Sequence, residues 1–226
     1  MAIFKKNLTS KILSGEAIKV LNSSDQKEKK ILEIGCGDGN ITQFLIDNQL
    51  GNNQFYCSDI SEEAIDSAKK NIVYDKINLK AGAFFDPWKN FHQSFDLVIT
   101  DVSSISEPVA DKSDWYNGVT SDCGENGLKN VKIILDDVNF FLNKDGYFIL
   151  PVISLCRLDE LYELLKKKFN FVSYSEKVEW PLPEFFKKNI HKFDHLIKKK
   201  IISVEYKFGA YLAFTKVAIC HKHNNQ

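Results

Sequence analysis

Arginine is almost missing from this chain: Arg157 stands alone, and the rest of the 30 cationic side chains are lysine. Arginine is the usual fork for phosphates and guanine edges, so its scarcity speaks against nucleic acid as the partner. Net charge is also lacking, with 30 acidic side chains balancing the 30 basic ones, so no global field draws the molecule to a polyanion or an anionic membrane. No apolar run reaches transmembrane length, and the opening stretch Met1-Ala2-Ile3-Phe4-Lys5-Lys6 lacks the apolar segment and cleavage site of a secretory signal. The five cysteines (36, 57, 123, 156 and 220) show neither disulfide-framework nor zinc-ribbon spacing, which fits a reducing compartment; the expectation is a cytoplasmic globular protein. His191 and His195 are four apart in a predicted helix, but Lys192 stands where a zinc protease needs glutamate, so no metal site is expected.

What the chain does have is a core and an alternation. Hydrophobic residues make up 44% of the 226, enough to bury a sizeable interior. After a helical pattern through Leu8, Ile12, Leu13, Ala17 and Leu21, strands and helices take turns. Strands are predicted at 31–34, 54–58, 77–81, 95–100 and 147–152, with helices over 41–50, 61–72, 128–142 and 159–169 between or after them. That order predicts an α/β fold with a mostly parallel sheet covered on both faces. Two further strands, 171–180 and 204–220, flank a lysine-rich helix and predict an antiparallel C-terminal edge. Residues 1–28 read as an N-terminal helical extension, 29–226 as one domain, and 180–203 as an insertion between the last two strands, a candidate substrate cap.

The most informative stretch is Glu33-Ile34-Gly35-Cys36-Gly37-Asp38-Gly39, which closes a strand and opens a helix, the setting of a nucleotide-binding turn. A dinucleotide fingerprint needs its third glycine where Asn40 stands, so NAD and FAD are disfavoured, and no Gly-Lys-Ser/Thr makes it a P-loop. Asp59 ends the second strand 20 residues beyond Gly39, where doubly wound folds place a carboxylate for ribose hydroxyls.

On these residues the sequence resembles the class I S-adenosylmethionine-dependent methyltransferases over about residues 30–152 and the antiparallel tail. The resemblance implies a Rossmann-like seven-stranded sheet, mostly parallel with an antiparallel C-terminal edge, and S-adenosyl-L-methionine as cofactor. It places Glu33, Gly35, Cys36, Gly37, Asp38, Gly39, Asp59, Ile60, Ala83, Phe84 and Asp101 around that cofactor. In that arrangement Glu33 orients the loop, Asp59 holds the ribose and Ile60 packs on adenine. The segment Gly82-Ala83-Phe84-Phe85 and the fourth-strand end are similar to the HemK/PrmC-like glutamine methyltransferases, with two departures. Ala83 replaces the acid that takes the adenine amine, and Asp101-Val102-Ser103-Ser104 replaces Asn-Pro-Pro-Tyr, which holds a planar amide or base amine.

Methyl transfer needs an aligned nucleophile and often a base. Asp101, at the end of a central strand, is the candidate for that role; a strand-end aspartate capping its own turn is the plain structural alternative. Ser103 and Tyr116 join it as candidate catalytic residues. The long segment 103–125 carries five acids, Trp115, Tyr116 and a single lysine, Lys112, as befits a lid over a polar or cationic substrate. The expected activity is methyl transfer to oxygen or nitrogen of a small-molecule or peptidic acceptor. No nucleic-acid or membrane partner is expected, and a second copy of the chain is a candidate partner. A non-catalytic cofactor-binding scaffold is the alternative, and a basic face beside Asp101 would bring nucleic acid back into view.

Overall fold

A computed structural model describes residues 8–23, 28–48, 52–113 and 121–222. Helix α1 (Leu8–Asn22) leads into β1 (Lys30–Ile34), α2 (Asn40–Asp47), β2 (Gln54–Asp59), α3 (Glu62–Asn71), β3 (Ile77–Ala81) and β4 (Phe95–Thr100). A short turn of helix, α4 (Glu107–Ala110), precedes α5 (Lys129–Phe141), β5 (Leu142–Ile153) and α6 (Leu158–Lys168). The strands form one sheet whose main path runs β3-β2-β1-β4-β5-β9-β6, where β6 is Phe171–Tyr174 and β9 is Ala210–His221. β1 to β5 are mutually parallel and β9 runs against β5 and β6, which is the expected mostly parallel sheet with an antiparallel C-terminal edge.

The local reasons are ordinary ones. Ser61 caps α3 by accepting the Ala64 amide, and Glu62 and Glu63 sit at its positive end with Lys69 and Lys70 at the other. Strand alternation sends Ile31, Leu97, Ile99 and Ile149 to one face of the sheet, where Leu13, Ala17 and Leu21 of α1 and Leu45 of α2 cover them. Leu32, Val98, Phe148 and Leu150 go to the other face, under Val131, Leu135 and Val138 of α5 and Leu161 of α6.

Three tail elements depart from the sequence pattern. The stretch 171–180 is two strands, β6 and β7 (Val178–Pro181), both paired to β9; where they part, the Val217 amide donates to the Ser175 hydroxyl instead of to a backbone carbonyl. The stretch 204–220 is a hairpin, β8 (Glu205–Lys207) and β9, turned at Phe208 and Gly209 with φ of 53° and 79°. Two positive φ angles in succession are what a two-residue hairpin turn of the right twist requires. The lysine-rich helix is broken into α7 (Glu184–Asn189), a 3-10 turn (Ile190–Phe193) and α8 (Asp194–Lys198). His191 therefore lies in the turn and His195 in α8, both exposed, and no metal-binding cluster occurs among the described residues.

The broken helix has its own core. Leu182, Phe186, Phe193, Leu196 and Ile202 pack on Ile105, Val109 and Ala110 beyond β4 and on Ile153 and Leu155 at the end of β5. Residues 180–203 thus sit over the C-terminal edge of the sheet. Phe186, 1% exposed and stacked 4.8 Å from Phe193, is expected to cost about 3–5 kcal/mol on truncation to alanine, read by urea denaturation.

Candidate functional site

The order β3-β2-β1-β4-β5 reverses direction between β1 and β4, and crevices for ligands lie at such switch points, outside the C-terminal strand ends. Register brings those ends level: Ile34 pairs with both Ser58 and Thr100, and Asp59 with Ala81. The glycine turn, Asp59, the segment after Ala81 and Asp101 therefore share one edge.

The turn is locked to β2. The Gly35 and Cys36 amides donate to the Ser58 carbonyl at 2.8 and 3.0 Å. Gly35, Gly37 and Gly39 all have positive φ (73°, 55° and 80°). At Gly35 a Cβ would stand 2.9 Å from Val102 Cγ1, so the turn also lies directly against the residue after Asp101. Asp59 is partly exposed and clamps both sides of the crevice: Oδ2 accepts the Gly37 amide and Oδ1 the Ser61 amide, each at 2.9 Å. Ile60 beside it is 79% exposed. Asp38 turns inward on the loop, accepting Asn40 Nδ2 at 2.6 Å, and Cys36 is buried against Cys57 and Ile65 with its thiol pushed up, first by hydrogen bonding to Cys57 and then by burial. On the β3 side, the Gly82 amide donates to the Asp59 carbonyl at 2.9 Å and Ser58 Oγ to the Phe84 carbonyl at 3.1 Å. Phe84 has a φ of 46°, and with Ala83 it borders a cleft of about 340 Å³ that reaches Ile133 and Phe140 of α5.

Two acids point to the α1–α2 face of the sheet because each continues an odd-numbered alternation, 31-33 and 97-99-101. Glu33 is 1% exposed. Its Oε2 accepts the Thr42 amide at 3.1 Å and the Thr42 hydroxyl at 2.5 Å, which ties β1 to the first turn of α2. Burial pushes its carboxyl up to about 8, against the Thr42 hydrogen bond and with a further push from the Asp101 charge. Asp101 accepts the Ser10 hydroxyl of α1 at 2.5 Å. Its carboxyl is pushed up to about 7 by burial, against the Ser10 bond.

The Ser103 carbonyl accepts the Cys123 thiol at 3.1 Å, which ties the two ends of the 103–125 segment together. Tyr116, with Trp115, lies outside the described residues. Sequence reasoning missed Ser10 and Thr42. Ser10 was findable in principle: it extends the buried stripe Leu13-Ala17-Leu21 by one turn, and a polar residue at a buried position needs a polar partner.

The crevice offers what S-adenosylmethionine would need. A partly exposed carboxylate with spare acceptor capacity suits ribose hydroxyls, and an exposed isoleucine beside it suits a base.

Comparison with known proteins agrees with this fold. The family model described as "Methyltransferase domain" matches residues 25–209. A bifunctional methyltransferase of Rickettsia bellii is 30% identical over 133 residues, 56% of this chain and 24% of that protein. A release factor glutamine methyltransferase of Dictyoglomus turgidum is 38% identical over 82 residues, 34% of this chain and 29% of its own. The chain thus covers less than a third of the length of either relative. Among solved structures, a ribosomal protein L11 methylase from Lactobacillus delbrueckii shares the fold with a TM-score of 0.53 at 16% identity, covering 98% of this chain and 82% of that one.

Proposed function

The chain belongs to the class I S-adenosylmethionine-dependent methyltransferases, and on that premise we propose that it methylates a nitrogen or oxygen of a peptidic acceptor seated at Asp101. The observation that carries this reading is the placement of Asp101. It lies one residue past β4, next to the switch point, with Val102 against the glycine turn and its carboxyl poised at about 7. A general base works best when its pKa lies near the working pH. Relatives named for release factor and ribosomal protein L11 methylation support a peptidic acceptor over a free small molecule.

The cofactor would lie along the edge, its ribose on Asp59, its base on Ile60 and its cationic end toward Glu33 and Asp101. When bound it supplies a methyl group on a sulfonium, open to in-line displacement. The protein's part is to hold and deprotonate. The acceptor's proton would go to the ionised Asp101 carboxylate and from there to water. Ser10 fixes which carboxyl oxygen faces the acceptor. Glu33 and Thr42 keep the turn seated on α2.

The direct test is transfer of labelled methyl from S-adenosylmethionine to a peptide library, with S-adenosylhomocysteine counted as the co-product. Label incorporated into peptide, stoichiometric with co-product, is the expected result; cofactor binding without any transfer would instead leave a scaffold.

A further inference from the structure

Charge is neutral over the whole chain but not over the edge where the acceptor must enter. The cap segment Glu184–Lys200 holds Lys187, Lys188, Lys192, Lys198, Lys199 and Lys200 with only Glu184 and Asp194 against them. All six lysines are exposed, because Phe186, Phe193 and Leu196 take the inward positions. Lys199 meets Glu125 at 3.7 Å; the other five form no ion pair among the described residues. Across from them, the segment following Asp101 is acidic. Within it Asp122 is matched by Lys129, while Glu107 and Asp111 have no cationic partner among the described residues. The two sides meet at the Lys199–Glu125 pair. The apolar underside of the cap rests on Ile105, Val109 and Ala110, a few residues past Asp101.

We infer that the cap is a docking surface for an acidic stretch of the acceptor polypeptide, placed beside the methylated residue. This rests on the peptidic acceptor proposed above. The sign change across the entrance decides between partners. A uniform polyanion such as single-stranded RNA would gain on the lysines and be repelled by Glu107 and Asp111. A polypeptide can put carboxylates on the lysine side and a neutral or cationic acceptor side chain on the other. The β8–β9 turn, which follows the cap in sequence, leaves Phe208 fully exposed and Tyr206 more than half so.

The test uses the full chain and two labelled probes of equal length, a glutamate-rich decapeptide and an oligouridylate, followed by fluorescence anisotropy at fixed ionic strength. The decapeptide is expected to bind more tightly than the oligouridylate and to weaken as salt is raised. The variant K187E/K188E/K192E is expected to lose at least tenfold in decapeptide affinity while its S-adenosylmethionine affinity, measured separately by calorimetry, stays within twofold. That titration also shows that the variant is folded. Failure of the decapeptide to bind wild type, equal binding by the variant, or tighter binding of the oligouridylate would each overturn the inference. Loss of cofactor binding by wild type would instead defeat the methyltransferase site itself, whatever the decapeptide does.

Discussion

Asp59→Ala is expected to weaken S-adenosylmethionine binding by about 100-fold or more in a calorimetric titration. Hydrogen bonds to a charged acceptor are worth about 1.5–3 kcal/mol each, and every 1.4 kcal/mol is a factor of ten. In the proposed site the carboxylate would take two ribose hydroxyls, and it already holds the Gly37 and Ser61 amides. Truncation therefore removes ligand contacts and releases the glycine turn together. Asp59→Asn should recover part of the loss, since its amide oxygen still accepts, though without charge and at one position only. Wild-type affinity in Asp59→Ala would mean that the carboxylate serves only the turn.

The second large effect concerns Asp101. Asp101→Asn is expected to lower kcat by about 100-fold, the lower end of what a positioned base contributes, with cofactor affinity changed by no more than a few-fold. Wild-type activity should rise with pH through about 7, because the ionised carboxylate is the form that takes a proton. Ser10→Ala removes the hydrogen bond that opposes burial, so the acid limb of the pH–rate profile should move to higher pH while the plateau rate holds. A mere packing role for Ser10 would lower activity at all pH values alike. The stability sign follows from the same shifts. Both Asp101 and Glu33 hold their protons more tightly folded than unfolded, so their contribution is greatest below the ordinary carboxylate range. It is lost as pH rises through about 7 and about 8. Chemical denaturation at pH 5 and pH 9 reads that loss; equal stability at the two values would mean the acids are solvated.

Much of this was written locally. The strand-turn-helix at Glu33–Asn40 is legible because glycines at three alternate positions permit a backbone that other residues resist, and because apolar runs flank it at the right lengths. Asp59 and Asp101 are legible for a similar reason: in a parallel sheet each acid just past an apolar run lies at the same edge. The sequence by itself therefore determined the parallel part of the sheet and placed the glycine turn, Asp59 and Asp101 along one edge of it. It misread the tail, where Phe208 adopts the left-handed conformation without being glycine and where the lysine-rich helix breaks at Asn189.

Only the tertiary structure decided three things. It joined Ser10 to Asp101 across 91 residues, and it made α1 cover the sheet rather than extend from it. It also set the lysine-bearing segment 184–200 against the acidic segment that follows Asp101. Local propensity and periodicity report which face of a helix or strand is apolar. They carry no information on which distant polar group meets a serine on that face, nor on the sum of charges along an edge, because both arise only when separate elements close on one another.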